Sequence, residues 1–535
     1  MSARRAPPRP RAPAAAAAAM GRVVAAGGGA AAAGGGGDDG ERCAQNACET
    51  MPLLSRLRRA APRDGDGGGG DGNEGRLSLG LRFAYGLGHV FNDVCAAMWF
   101  SYTLLFLQVV LGMPPILAGS MLLIGQVTDA LATPVVGVLS DKKGSRKLWH
   151  LAGTGLVLIS FPLIFSPCPG CDRDTPTLMA LYYAAIISVF QIGWAVVQIS
   201  HLAIIPDLTE DQEKRAGLTA IRYTASVCSS VAVYVITWCV FHVTRNSMFD
   251  SIGPEDAYKF RNIVLITTAI GLAASAYFHF GLKAHNLKPK VNTQTAGLDS
   301  LKKSSIASYF KSPLLFQVSF LHVASRLFLT ISLVYMPLYL NETYGEDSEI
   351  LALVPLVSYI ASFAASLGIK YINNSWGSKT TYFIGAVIST FGCVWIRYGT
   401  GGAHGRGNVY GASILLGGGS SVTMVTSLCI TAELIGTHTH NGAFVYSIVT
   451  FADKLFNGIA VMVIEDLKCS SQELCPHYYR DVLAYVCGGS AILGVLVLAT
   501  MTYLSGATKI LTSPTENDPE SKNPDVTTAL THEVT

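Results

Sequence analysis

The stretch Gly137-Val138-Leu139-Ser140-Asp141-Lys142-Lys143-Gly144-Ser145-Arg146-Lys147 decides the fold. It leaves one long apolar run and enters the next, so it is a short charged connection between two hydrophobic helices. Gly137 permits a close helix approach, and Gly144 makes the turn. Asp141 is placed to pair with cations and with a helix N-terminus across its half of the molecule. Lys142, Lys143, Arg146 and Lys147 put a cluster of cations between two membrane-length runs, which marks the cytosolic side of a bilayer.

Working outward, twelve apolar runs can be drawn. They cover residues 82–111, 115–139, 148–168, 177–205, 218–243 and 261–283, then 313–340, 350–372, 380–398, 408–432, 441–465 and 481–505. Each approaches the roughly 20 residues that span a bilayer. Composition agrees: charged residues are 14% of the 535, against about 25% in a soluble domain, and mean hydropathy is +0.38. A soluble enzyme is excluded, and so is a nucleic-acid binder, because no basic cluster with interleaved aromatics occurs. No nucleophile–base–orienter set, phosphate loop or metal motif appears, so no enzyme and no cofactor are expected. The chain divides into five units: a disordered tail over 1–75, a six-helix half over 76–283, a central loop over 284–311, a second half over 312–506, and a polar, disordered tail over 507–535. Further cations, Lys214, Arg215, Lys288, Lys290, Lys302 and Lys303, lie on the side of the first loop, which puts both termini in the cytosol.

Six plus six spans around a central loop is the plan of the major facilitator superfamily. The 137–147 stretch closely resembles that superfamily's signature, G-x-L-x-D-x-x-G-x-[RK]-[RK]. The resemblance implies an all-α membrane fold, and a latch at the loop that favours closure toward the cytosol. Arg146 belongs to this latch. The equivalent loop of the second half keeps Gly377 and Lys379 but has Asn374 where Asp is expected. Asp207 and Glu433 end the fourth and tenth spans in related contexts, Ile-Pro-Asp-Leu and Thr-Ala-Glu-Leu, and read as repeat-related gate acids.

Ionisable groups inside a bilayer are costly unless partnered, and so are functional candidates. Asp93, Asp129, Arg326, Asp453 and Lys454 lie near the middle of spans one, two, seven and eleven, which face one central chamber in the superfamily plan. Three carboxylates and two cations suit a zwitterion. Asp93 or Asp129 would hold its amine, and Arg326 or Lys454 its carboxylate. Arg326 and Lys454 also fit gating pairs between the halves, and Asp453 is read as a gating residue. His89, Asn92, Gln126, Gln191, Gln198, His201 and His322 surround them. Gln198 and His201 share one helix face and are assigned to the substrate. Each of these, taken singly, also fits a satisfied polar residue at a helix contact.

Tyr85-Gly86-x-Gly88 before Asp93, and Asp129-Ala130 before Thr133-Pro134, resemble the glycoside–pentoside–hexuronide cation symporters. In those, acidic residues of the first two spans and a span-eleven Lys bind the coupling cation. Asp93, Asp129 and Lys454 match three positions, but Thr133 replaces the fourth, an Asp. That loss weakens the case for sodium and leaves proton coupling or simple exchange open. Longer strings, Ser160 to Cys171, Gln198-Ile199-Ser200-His201-Leu202 and Asn441 to Met462, resemble a family of lysosomal and melanosomal transporters. That resemblance implies movement of cysteine from cytosol to lumen and an influence on pigmentation. A cation-coupled sugar or lipid carrier, or a transport-incompetent scaffold or sensor, are the alternatives.

Three further features are local. Glu49-Thr50-Met51-Pro52-Leu53-Leu54 fits an acidic dileucine signal, whose Glu49, Leu53 and Leu54 would be read by clathrin adaptors in a cytosolic tail. Asn341-Glu342-Thr343 is an N-glycosylation sequon on the luminal side. Cys168/Cys171 and Cys469/Cys475 fall in luminal loops, where each pair either forms a disulfide or stays as free thiols, depending on the redox state of the lumen.

Overall fold

The computed structural model describes residues 78–142, 145–171, 175–209, 212–244, 252–282, 313–345, 347–399, 405–435, 442–469 and 475–512. Every expected apolar run becomes a helix. In chain order these are α1 (Leu79–Val110), α2 (Pro115–Lys142), α3 (Arg146–Ile164), α4 (Pro176–Ala203), α5 (Gln212–Val243) and α6 (Ala257–Gly281). The second half supplies α7 (Pro313–Tyr344), α8 (Ile350–Trp376), α9 (Ser378–Gly399), α10 (Gly405–Ile435), α11 (Gly442–Asp466) and α12 (Tyr478–Tyr503). Among the described residues, eleven helices are long and apolar enough to cross a membrane. A twelfth, α11, carries Asp453, Lys454 and Glu465. Its 25 residues still reach about 37 Å at 1.5 Å per residue, enough for the roughly 30 Å hydrocarbon core. The last helix continues to Thr512, into the stretch read from sequence as tail.

The two halves meet along three helix pairs, α2 on α11, α5 on α8 and α1 on α7. Small residues set the approach. At Gly458 a Cβ would lie 2.7 Å from Leu123 Cδ1 and 3.2 Å from its Cα, so α11 rests directly on α2. Gly377 ends α8 with φ +78, a left-handed value that favours glycine, and its N–H donates to Asn373 O at 2.8 Å.

Three irregularities shape the functional regions. The first is that α1 is interrupted at Gly88–His89, between helical stretches Leu79–Leu87 and Val90–Leu105. The other two are π turns, over Phe106–Val110 at the end of α1 and Val482–Val486 near the start of α12. The end of the bundle that carries the 142–146 connection is the signature end, and the opposite one the distal end. Disulfides Cys168–Cys171 and Cys469–Cys475 are both formed, and both lie at the distal end.

Candidate functional site

At mid-depth α2 and α11 are joined by charge. Lys454 Nζ lies 2.6 Å from Asp129 Oδ2. Thr133 donates to Asp129 Oδ1 at 3.1 Å and accepts from Lys454 at 3.5 Å. This pair bridges the two halves. One residue earlier, Asp453 faces the other way, toward α7. Its carboxylate lies 3.7 Å from Arg326 Nε and 3.6 Å from His322 Nε2, and Asn457 Nδ2 donates to it at 3.3 Å. The Arg326 guanidinium also sits over the Phe100 ring of α1, 5.7 Å from its centroid. Four of the five charges singled out from sequence therefore gather on α2, α7 and α11, as two pairs.

Asp93 joins a different partner. It is buried, and its Oδ1 lies 2.9 Å from His89 Nδ1, one helical turn earlier. Arg222 Nη2 of α5 reaches His89 Nε2 at 2.9 Å. Arginine has donors only, so Nε2 accepts and Nδ1 donates its hydrogen to Asp93. Asp93 Oδ2 and Asn92 Oδ1 are buried acceptors without a hydrogen-bond partner. Arg222 is hard to single out from sequence because it lies only ten residues into a helix with cations at its start, where a span boundary is difficult to draw.

His201 is not a chamber-lining ligand. It is fully buried, its Nε2 donates to Tyr85 O at 2.8 Å, and its ring stacks on Tyr85 at 4.3 Å. The break in α1 places these bonds: Tyr85 O accepts the Gly88 N–H at 3.1 Å in place of the donor four residues on, and histidines of α4 and α3 add side-chain donors at the Tyr85 and Gly88 carbonyls. His150 Nε2 bonds Gly88 O at 2.8 Å. Gly88 is glycine because a Cβ there would meet Phe278 at 2.6 Å and His201 at 2.8 Å. Gln198 accepts from Trp194 Nε1 at 3.0 Å, on its own helix.

At the signature loop, Arg146 and Asp207, both read from sequence as gating residues, meet. Arg146 starts α3 and donates to Asp207 Oδ1 at 2.7 Å and to Ala203 O in the last turn of α4. Lys147 donates to Leu282 O, at the end of α6, at 2.6 Å. The two cations thus cap helix C-termini, where carbonyls are unsatisfied and the dipole is negative. Gly137 makes no close approach: nothing lies within 4 Å of where its Cβ would be. Asp141 and Glu433 stand at helix ends whose side chains lie outside the described set, and Gly144, Glu49, Leu53 and Leu54 lie outside the described residues. Asn341 is within the last turn of α7, just past the apolar run drawn over 313–340, and its Oδ1 is buried.

The distal end is closed by bonds between the halves that the sequence did not suggest. Gln108 Nε2 donates to Glu465 Oε2 at 2.5 Å, and Tyr102 Oη to Leu351 O at 3.1 Å. Trp238 Nε1 and His242 Nδ1 of α5 each reach Glu349, before α8, at 2.9 Å. Among the described residues no group of three or more His, Cys, Asp or Glu side chains could hold a metal ion.

Comparison with known proteins agrees with this architecture. Residues 84–465 match the family model described as MFS/sugar transport protein. The chain is 38% identical to mouse (Mus musculus) major facilitator superfamily domain-containing protein 12, over 81% of this chain and 95% of the relative. The human (Homo sapiens) protein of the same name is also 38% identical, over 79% of this chain and 93% of its own length. Among solved structures, a D-xylose-proton symporter superposes with a TM-score of 0.60 at 15% identity, covering 79% of this chain and 97% of that one.

Proposed function

Because the chain belongs to the MFS/sugar transport family and is a multi-pass membrane transporter, not an enzyme, we propose that it carries a small zwitterion, cysteine, from the cytosol into lysosomes and melanosomes. The observation that carries this reading is the balanced charge at mid-depth. Asp93, Asp129 and Asp453 are matched by Arg222, Arg326 and Lys454, so the region is neutral before substrate enters. A neutral site made of separated charges accepts a solute that is itself neutral overall but carries both signs. An ammonium finds acceptors at Asp93 Oδ2 and Asn92 Oδ1, which have no partner. A carboxylate exchanges into the Arg326–Asp453 contact, which is long at 3.7 Å and easily displaced. Cysteine rather than another zwitterion is supported by the family resemblance.

Alternating access is coupled to the pairing. Lys454–Asp129 crosses between the halves and Arg326–Asp453 does not. Substrate that competes for Asp129 or Lys454 therefore alters how firmly the halves are held, whereas Arg326 keeps its partner within one half through the rocking motion. Lys454 already occupies Asp129, so the acids of the first two spans do not form a free carboxylate pair, which favours a proton or simple exchange. Both disulfides lie at the distal end and the cationic connections at the signature end, which supports a luminal distal face and cytosolic termini.

The test is uptake of labelled cysteine and cystine into lysosomes from cells with and without this protein. Loss of cysteine uptake alone is expected. Asp93→Asn should abolish that uptake while the protein still folds and reaches the membrane. Unchanged cysteine uptake on deletion would leave the fold standing and remove cysteine as the substrate.

A further inference from the structure

We propose that Glu465 is a proton-binding site built into the distal gate, so that the gate closes around a protonated carboxyl and loosens when that carboxyl ionises. It deepens the transport reading by naming where a proton resides, and rests on that reading only for which compartment supplies it.

Glu465 is 1% exposed and lies where α11 meets α1, α2, α7 and α12, its Cβ against Gly119 of α2. Its Oε2 accepts from Gln108 of α1 at 2.5 Å and faces Tyr479 Oη of α12 at 3.5 Å. Its Oε1 is buried and has no hydrogen-bond partner. Asp93 also has a bare oxygen but lies beside the His89–Arg222 pair, whereas among the described residues no cation is bonded to Glu465, so leaving its Oε1 bare costs the ionised form far more than the neutral carboxyl.

Among the described residues no cation bonds either Glu465 oxygen directly, and Lys468 acts on the carboxyl only from a distance. Lys468, beyond the end of α11, directs its Nζ to Tyr479 Oη at 2.7 Å and to Gln108 Oε1 at 3.5 Å. Burial lowers the pKa of this lysine, although the Glu465 and Glu342 carboxylates oppose the effect. From α7, Glu342 accepts the Tyr479 N–H at 3.2 Å, and Tyr335, which reaches Val461 O at 3.2 Å, also turns its neutral hydroxyl toward the Glu465 carboxyl. From α12, Tyr478 donates to Ile464 O, and Arg480 turns to Asp481 at 3.8 Å. A second acid, three tyrosines and one lysine turned elsewhere surround the carboxyl.

The two partners of Glu465 also stand beside the two π turns. Gln108 is inside Phe106–Val110, and Tyr479 shortly precedes Val482–Val486. Such turns are rare departures from α-helix that concentrate at functional sites. When the halves part at this end, water reaches the carboxyl and ionisation becomes cheap. Reclosing takes a proton from the distal compartment.

Hydrogen exchange of the full chain in lipid nanodiscs tests this without any substrate, so its outcome is independent of whether cysteine is carried. After correction for the intrinsic pH dependence of exchange, wild-type peptides covering 106–110 and 478–486 should be about fivefold or more better protected at acidic than at neutral pH. Glu465→Gln, which mimics the protonated form, should be protected equally at both. If Glu465→Gln keeps the wild-type pH dependence, or the wild type has none, the proposal is overturned. Should that variant not fold, Lys468→Met removes the nearest cation from outside the span and should raise the pH midpoint by about one unit. An unmoved midpoint overturns the proposal equally.

Discussion

Asp453 and Lys454 are adjacent in the chain yet face different helices, because successive residues of an α-helix point about 100° apart. That single fact divides the central charges into a pair that spans the halves and a pair that does not. Breaking the spanning pair leaves its partner as an unmatched charge in a low-dielectric setting. Lys454→Ala should therefore lower stability by about 3 kcal/mol. The double variant Lys454→Ala/Asp129→Ala should recover part of that loss, as read from thermal midpoints in detergent in a double-mutant cycle. Independent, additive losses would show that the 2.6 Å contact carries no coupling. Charge in a span is legible from sequence, since it interrupts an apolar run. Pairing is not legible: the bond that holds His89 between Asp93 and Arg222 exists only because α5 packs behind the break in α1.

Helices here approach one another where side chains are absent. Gly458 rests on Leu123 across the junction of the halves, and Gly88 admits Phe278 and His201 against the interrupted α1. A methyl at Gly88 overpacks a buried contact, and Gly88→Ala should cost about 1–3 kcal/mol, measured as a fall in thermal midpoint. Gly458→Leu acts differently, because it props α11 off α2. Its expected effect is loss of uptake with delivery to the membrane retained, and uptake near wild type would show that the two helices need not touch during the cycle. The twelve apolar runs were legible because bilayer thickness imposes length and hydropathy on every span. The break in α1 was not, because a Gly-His pair inside an apolar run also fits an uninterrupted helix. The interruption is held by the Gly88 N–H bond to Tyr85 O and by histidines from α3 and α4 that bond the Gly88 and Tyr85 carbonyls.

Across the molecule as a whole, the distal end is held by a few polar bonds between the halves, spread over α1, α5, α8 and α11. Glu349 accepts from both Trp238 and His242 and so ties α5 to the start of α8 at two points. Glu349→Ala should shift the population toward a distally open form, by about tenfold if the two bonds together contribute about 1.4 kcal/mol. Faster hydrogen exchange in 238–244 and 347–354, with the signature end unchanged, is the expected result. Equal exchange in both proteins would assign closure to Gln108–Glu465 and Tyr102–Leu351 instead.

The class of molecule, the number of spans, the pseudo-repeat, the side on which cations concentrate and the depth of the central charges are all written along the chain. These are one-dimensional properties: a bilayer reads length, hydropathy and charge in order. Folding in three dimensions was needed to make His201 serve a backbone carbonyl, to turn Arg146 and Lys147 into helix caps, and to bring in Arg222 to complete the charge balance. It also set Gln108 beside Glu465, residues 357 apart in the chain. Each of these depends on which face of one helix meets which face of another, and packing between helices is set by side chains distant in sequence.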